Sequence, residues 1–190
     1  MPLPSPSCDR ELLHVRKIEC QGFRRSDGMF DVEGRMVDRK TYDISRLDGG
    51  RSVAAGDAIH DMSIRITIDE SLFVHAVDAA IDASPYVICP QAVYAMQQIV
   101  GLTIASGWTR AVKERLGGAR GCTHLMELLG PMATTAYQTL VVLRWARPDK
   151  LDRQGKPVKI DSCYAYGSSR QVVRDKWPAF YTGADAKPDS

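Results

Sequence analysis

The chain has 190 residues, 44% hydrophobic and 25% charged, with 25 Lys and Arg against 23 Asp and Glu for a formal charge of +2. This is ordinary globular composition and excludes a mostly disordered or fibrous chain; the near balance of charge lacks the basic excess of phosphate-backbone binders, so nucleic acid is not an expected partner. The longest apolar stretch, around Leu128 to Trp145, is broken by Gly130, Pro131, Thr134, Thr135 and Gln138, so no run of about 20 apolar residues can span a membrane.

Residues 1–10 read as a flexible arm. Met1-Pro2-Leu3-Pro4-Ser5-Pro6-Ser7 has neither a basic start nor an apolar core, so it is not a secretory signal and a cytoplasmic location is the default. Alternation predicts strands over Leu13 to Cys20 and Met29 to Val37, with Phe30, Val32 and Met36 on one face and Asp31, Glu33 and Arg35 on the other. Asp27-Gly28 between them suits a tight hairpin connection. The polar stretch from Asp38 to Asp57 reads as a surface loop, long enough to serve as a lid. A second hairpin follows, with one strand over Met62 to Ile68 and another over Leu72 to Ile81.

Beyond Pro90 the period changes from two to 3.6. Val93, Met96 and Val100 predict one helix, Trp108, Ala111, Val112 and Arg115 a second that ends at Gly117, and a third runs from Thr123 to about Trp145 with a kink at Pro131. The pair Arg24-Arg25 and the charged run from Arg144 to Lys156 could hold an anionic substrate tail such as a phosphate, but solvated surface charge is the simpler reading. Val158 to Ala165 predicts an edge strand, Ser169 a cap for a short helix through Lys176, and residues 182–190 a frayed tail. Together these elements predict one α+β domain over residues 11–181, an antiparallel sheet of two hairpins covered on one face by three helices.

Five cysteines, Cys8, Cys20, Cys89, Cys122 and Cys163, are widely spaced with no Cys-x-x-Cys pair, which argues for reduced thiols rather than a disulfide framework or zinc ribbon. Cys20 and Cys163 read as packing residues, His75 as structural and Trp108 as a core anchor. The most informative run is Gly121-Cys122-Thr123-His124-Leu125-Met126-Glu127, which sets a thiol, an imidazole and a carboxylate within two turns of a helix start. Its orphan N–H groups and dipole favour a thiolate at Cys122.

Across nearly the whole chain, Arg24-Arg25-Ser26-Asp27-Gly28, Asp31-Val32-Glu33-Gly34, His60-Asp61-Met62, Asp82-Ala83-Ser84-Pro85-Tyr86, Gly107-Trp108-Thr109 and Gly121-Cys122-Thr123-His124-Leu125 resemble the bacterial family catalogued as domain of unknown function 2889. The resemblance implies a bacterial cytoplasmic protein, with an association to aromatic-acid or acyl-thioester catabolism, and brings no established activity. The part from Gly56 to Leu129 also resembles the iron–sulfur cluster assembly scaffold fold. That family's cluster is held by three cysteines; here Ser84-Pro85-Tyr86 fills the first cysteine loop and only Cys122 carries over. The scaffold resemblance implies that the second hairpin and the last helix share a pocket, which would gather His60, Asp61, Asp82, Cys89, Cys122, His124 and Glu127.

His124 and Glu127, three apart on a helix, present to one face and with His60 make two imidazoles and one carboxylate, a set that suits zinc with an open position or non-haem iron(II). Replacing His60 with Cys89 or Cys122 favours zinc. A metal-free site would use Cys122 as nucleophile, or His60 and Asp61 as an acid–base pair, the latter only where the strand is irregular. Alternatively His124 stabilises the helix entry by bonding Glu127 or Asp61, and Asp61 and Asp82 tie loops. Two functions follow: a small enzyme with a His/Asp/Cys/Glu pocket, built around zinc or iron or metal-free, acting on a small carbonyl or aromatic substrate; or a non-catalytic accessory protein binding a metal, ligand or subunit. A homo-oligomer is compatible with either.

Overall fold

The computed structural model describes residues 3–45 and 50–183. The chain divides into two compact units, Met1–Val141 and Val142–Ser190. In the first, the period-two alternation builds a four-stranded sheet of β1 (His14–Arg24), β2 (Phe30–Lys40), β3 (Ala58–Ile68) and β4 (Val74–Ala83) in the order β1-β2-β3-β4, all antiparallel. Gly28, at φ 86°, makes the first hairpin turn as expected. Along β2, Phe30, Val32, Met36 and Asp38 are buried. Asp31 and Arg35, on the other face, form ion pairs with Arg25 and Asp61.

The predicted α+β class with its antiparallel sheet is the one the chain adopts. α2 (Thr123–Thr139) packs against β1, β2 and β3, the segment Cys89–Ile99 packs against β4, and α1 (Trp108–Leu116) packs on both. Gly34 at the centre of β2 permits that approach: a Cβ there would lie 2.7 Å from Met132 Sδ on α2. Trp108 is the expected anchor, 7% exposed, its indole N–H donating to the Leu129 carbonyl at 3.1 Å.

Several elements differ from expectation. The strands run two to four residues further at one end, β3 starting at Ala58 and β2 continuing to Lys40. The segment after Pro90 is a 3-10 helix, Cys89–Ile99, whose three-residue turn aligns Val93, Met96 and Ile99 in one row. The long last helix ends at Thr139, because Leu140 leaves helical geometry at φ −95°, ψ 5°, and α3 (Val141–Trp145) is a separate short turn.

The second unit has its own small core of Ile160, Val173 and Trp177, packed by Tyr166, Phe180 and Tyr181. No edge strand forms over Val158 to Ala165. Successive turns close Ile160 N–H on the Pro157 carbonyl and Ser162 N–H on the Lys159 carbonyl, with Asp161 at φ 64°, and the nearest pairing is a single bridge between Leu151 and Pro157. α4 (Gln171–Lys176) is preceded by Arg170 and has no side-chain cap, so Ser169 does not cap it. Residues 3–10 of the expected arm are exposed. Residues 46–49 of the loop and 184–190 of the tail lie outside the described residues. Among those described, no helix is long and apolar enough to cross a membrane.

Candidate metal centre

Because β2 continues past Val37, Asp38 is not the start of a loop but a strand residue on the helix-covered face. Register places it opposite Arg16 of β1 and His60 of β3. Its side chain is 1% exposed, and both oxygens are engaged: Arg16 donates from Nε to Oδ1 and from Nη2 to Oδ2, each at 2.7 Å. His60 Nδ1 lies 3.0 Å from Oδ2, and His14 Nε2 3.4 Å from Oδ1. Burial drives the Asp38 carboxyl upward, but the Arg16 bonds and charge, then those of His60, outweigh it and hold its pKa below the ordinary value.

The N-terminal turn of α2 completes the cluster from above the sheet. His124 lies with its ring centroid 3.9 Å from that of His60, the planes tilted by 34°. Nitrogen or oxygen donor atoms of Asp38, His60 and His124 all fall within 4.8 Å of one another. Burial first, then the charge of His124, lowers the His60 pKa against the upward pull of Asp38, which favours the neutral, ligating form of the ring. Three of the chain's four histidines thus gather at one buried carboxylate.

The structure separates other residues that the sequence grouped. Asp61 sits on the opposite face of β3 from His60, where Arg35 grips it with two bonds of 2.8 and 2.7 Å. Asp61 pairs with Val37 and His60 with Asp38 in step, the register shifts falling on either side at Asp38/Arg39 and Asp61/Met62, so strand alternation keeps the two apart. Asp82 is exposed on β4, its charge acting on Arg35. Glu127 is half exposed and accepts a 2.7 Å bond from Arg16 Nη1, so it reaches the cluster through the arginine. Cys122 precedes α2 without a side-chain cap bond and shares with Cys89 a hollow of about 390 Å³ whose lining includes Ile88, Ala95, Ala119 and Arg120 but none of the imidazoles.

His75, read as structural, bonds the Asp69 carboxylate through Nε2 at 2.8 Å. Cys20 is half buried, and burial pushes its thiol pKa up; Cys163 is exposed and packs no core. Sequence reasoning missed Asp38, Arg16 and His14. The available signal was the two-residue step from His14 to Arg16, which puts both on one strand face, together with a β2 strand allowed to run through its charged end.

A family model described as a protein of unknown function (DUF2889) matches residues 14–138. The chain belongs to the DUF2889 family. In this DUF2889 protein the matched span opens on His14 and contains Arg16, Asp38, His60, His124 and Glu127, while the second unit lies beyond it. No curated protein and no solved structure matches the chain, so neither the likeness to the cluster scaffold nor the tie to aromatic catabolism gains support from them.

Chemically, the cluster offers two imidazoles beside a carboxylate. Asp38, held by Arg16, fixes the His60 tautomer with the proton on Nδ1, leaving Nε2 as a lone-pair donor. That nitrogen and His124 can share a metal ion, or Nε2 can take a proton as a general base.

Proposed function

We propose that this DUF2889 protein is a metal-dependent enzyme whose ion, zinc or iron(II), is held by nitrogens of His60 and His124, with Asp38 as the outer carboxylate that orients His60. The observation that carries this is the His60–His124 ring contact at 3.9 Å over the 3.0 Å bond from His60 to Asp38. A ligating histidine whose other nitrogen bonds a carboxylate is the recurring arrangement of such centres. Asp38 serves as support rather than ligand because Arg16 already occupies both its oxygens.

Two imidazoles leave coordination positions for water or for the oxygen of a small carbonyl compound, where the ion can act as Lewis acid or lower the pKa of bound water. Arg16, one-third exposed, links Asp38 to the half-exposed Glu127 beside the imidazoles. Cys122 and Asp61 have no part in the centre. The rival function, a non-catalytic metal-binding accessory, would close those positions.

Metal analysis of tag-free protein tests the first claim. Near-stoichiometric zinc or iron is expected, lost in His60→Ala and in His124→Ala, and weakened by roughly 10–100-fold in Asp38→Asn. Protein that takes up no metal even when supplemented would refute the centre. Cobalt-substituted protein then separates enzyme from accessory: acetohydroxamate should shift the visible spectrum by entering the open positions, and an unchanged spectrum would favour the accessory.

A further inference from the structure

The second unit is charged unlike the rest of the chain. Residues 142–183 carry nine Lys and Arg against four Asp, although the whole chain is only +2. Part of that charge is concentrated in a hollow of about 340 Å³ lined by Trp145, Arg147, Pro148, Asp149, Lys159, Tyr166 and Lys176. Three cations stand there against one carboxylate. That carboxylate is itself engaged: Asp149 accepts 2.7 Å from Lys159 Nζ on one oxygen and 2.9 Å from the Trp177 indole N–H on the other. Since Trp177 belongs to the unit's small core, Asp149 is fixed in place and holds Lys159 at the hollow, offsetting one of the three positive charges.

The rest of the lining is planar and apolar. Trp145 is 70% exposed, an unusual display for an indole, and Tyr166 packs edge-on against Trp177 with ring centroids 5.7 Å apart. Lys176 Nζ lies over the Trp177 ring at 4.7 Å, and its side chain lines the hollow. Two net positive charges beside a tryptophan and a tyrosine match a dianion joined to a flat ring, and the volume is at the lower end of small-molecule sites.

We propose that this hollow binds a small phosphate monoester with an aromatic or heteroaromatic body, the phosphate held by Arg147, Lys159 and Lys176 and the ring laid against Trp145. The site is independent of the imidazole cluster and stands whether or not that cluster holds a metal. It also gives a role to the basic run from Arg144, which otherwise reads as solvated charge.

The test uses the full chain, with AMP and phenyl phosphate as probes, inorganic phosphate and adenosine as half-ligands, and calorimetry with tryptophan fluorescence as readouts. Both probes should bind saturably, at least about tenfold tighter than either half-ligand, with quenching that Trp145→Phe reduces. Lys176→Gln, an exposed change that leaves the core intact, should weaken AMP by about tenfold or more while the thermal midpoint stays put. His124→Ala should leave AMP binding unaltered. Absence of saturable binding at millimolar probe, equal affinity for inorganic phosphate and AMP, or unchanged affinity in Lys176→Gln would each overturn the proposal.

Discussion

Arg16 has one buried end and one exposed end, and replacing the acid at each should have very different costs. Asp38 is 1% exposed and takes two 2.7 Å bonds from Arg16 and one 3.0 Å bond from His60. Asp38→Asn keeps the shape but removes the charge and turns an amide toward donors. Breaking a buried pair costs about 3–5 kcal/mol when the partner is stranded. Here the partner is one-third exposed and keeps Glu127, so roughly 2–3 kcal/mol is the appropriate figure. For a unit of this size that lowers the melting temperature by roughly 5–10 °C. Glu127→Gln removes an ion pair whose glutamate is 46% exposed, and about 0–1 kcal/mol is expected. Urea and thermal unfolding of the metal-free protein measure both. An Asp38→Asn cost within about 0.5 kcal/mol of zero, the range of an ordinary surface change, or a Glu127→Gln cost equal to it, would refute the assignment of Asp38 as the buried keystone of the cluster.

Other outcomes follow from the same geometry. Gly34→Ala should destabilise by about 1–3 kcal/mol by pressing on the buried Met132, and in a denaturation series the double variant with Met132→Ala should lose less than the sum of the two single losses. Asp69, which accepts from Ser71, Phe73 and His75, is held at a pKa of about 2, as these bonds outweigh burial. Its depressed pKa means stability that is present above the unfolded value near 4 and lost as pH falls toward 2. The melting-temperature gap between wild type and Asp69→Asn should therefore be widest near neutrality and shrink through that window; a gap that grows on acidification would contradict it. Cys122→Ser should leave metal content unchanged, since its hollow holds no imidazole, and metal loss in that variant would reinstate the thiol as a ligand.

The sheet was legible because alternating apolar residues such as Phe30, Val32 and Met36, or Met62 through Ile68, report directly which face is buried. The same rule hid half of the centre. Asp38 and His60 occupy inward positions as polar residues, so the hydrophobic pattern stops before them and the strands read short. Cross-strand register, which sets Arg16, Asp38 and His60 side by side, depends on turn geometry and pairing across 22 residues and leaves no local mark. His124 stands out in the sequence because a helix start carries its own signals in Gly117, Gly121 and the apolar stripe after Thr123. Asp61 groups with His60 on the pocket that the scaffold resemblance implies, but the condition set for their pairing, an irregular strand between them, is not met, so they face opposite ways. The Val158 to Ala165 segment does not form a strand because Asp161 sits at φ 64° and Ser162 Oγ donates to the Lys159 carbonyl, which favours turns over pairing.

X-ray absorption at the metal edge of zinc-loaded protein tests the histidine-pair centre most directly. Two imidazole nitrogens and light oxygen donors, with no sulfur, and one imidazole fewer in His124→Ala, is the result that the geometry of His60 and His124 predicts. A thiolate sulfur at the metal, or a first shell without imidazole, would contradict it.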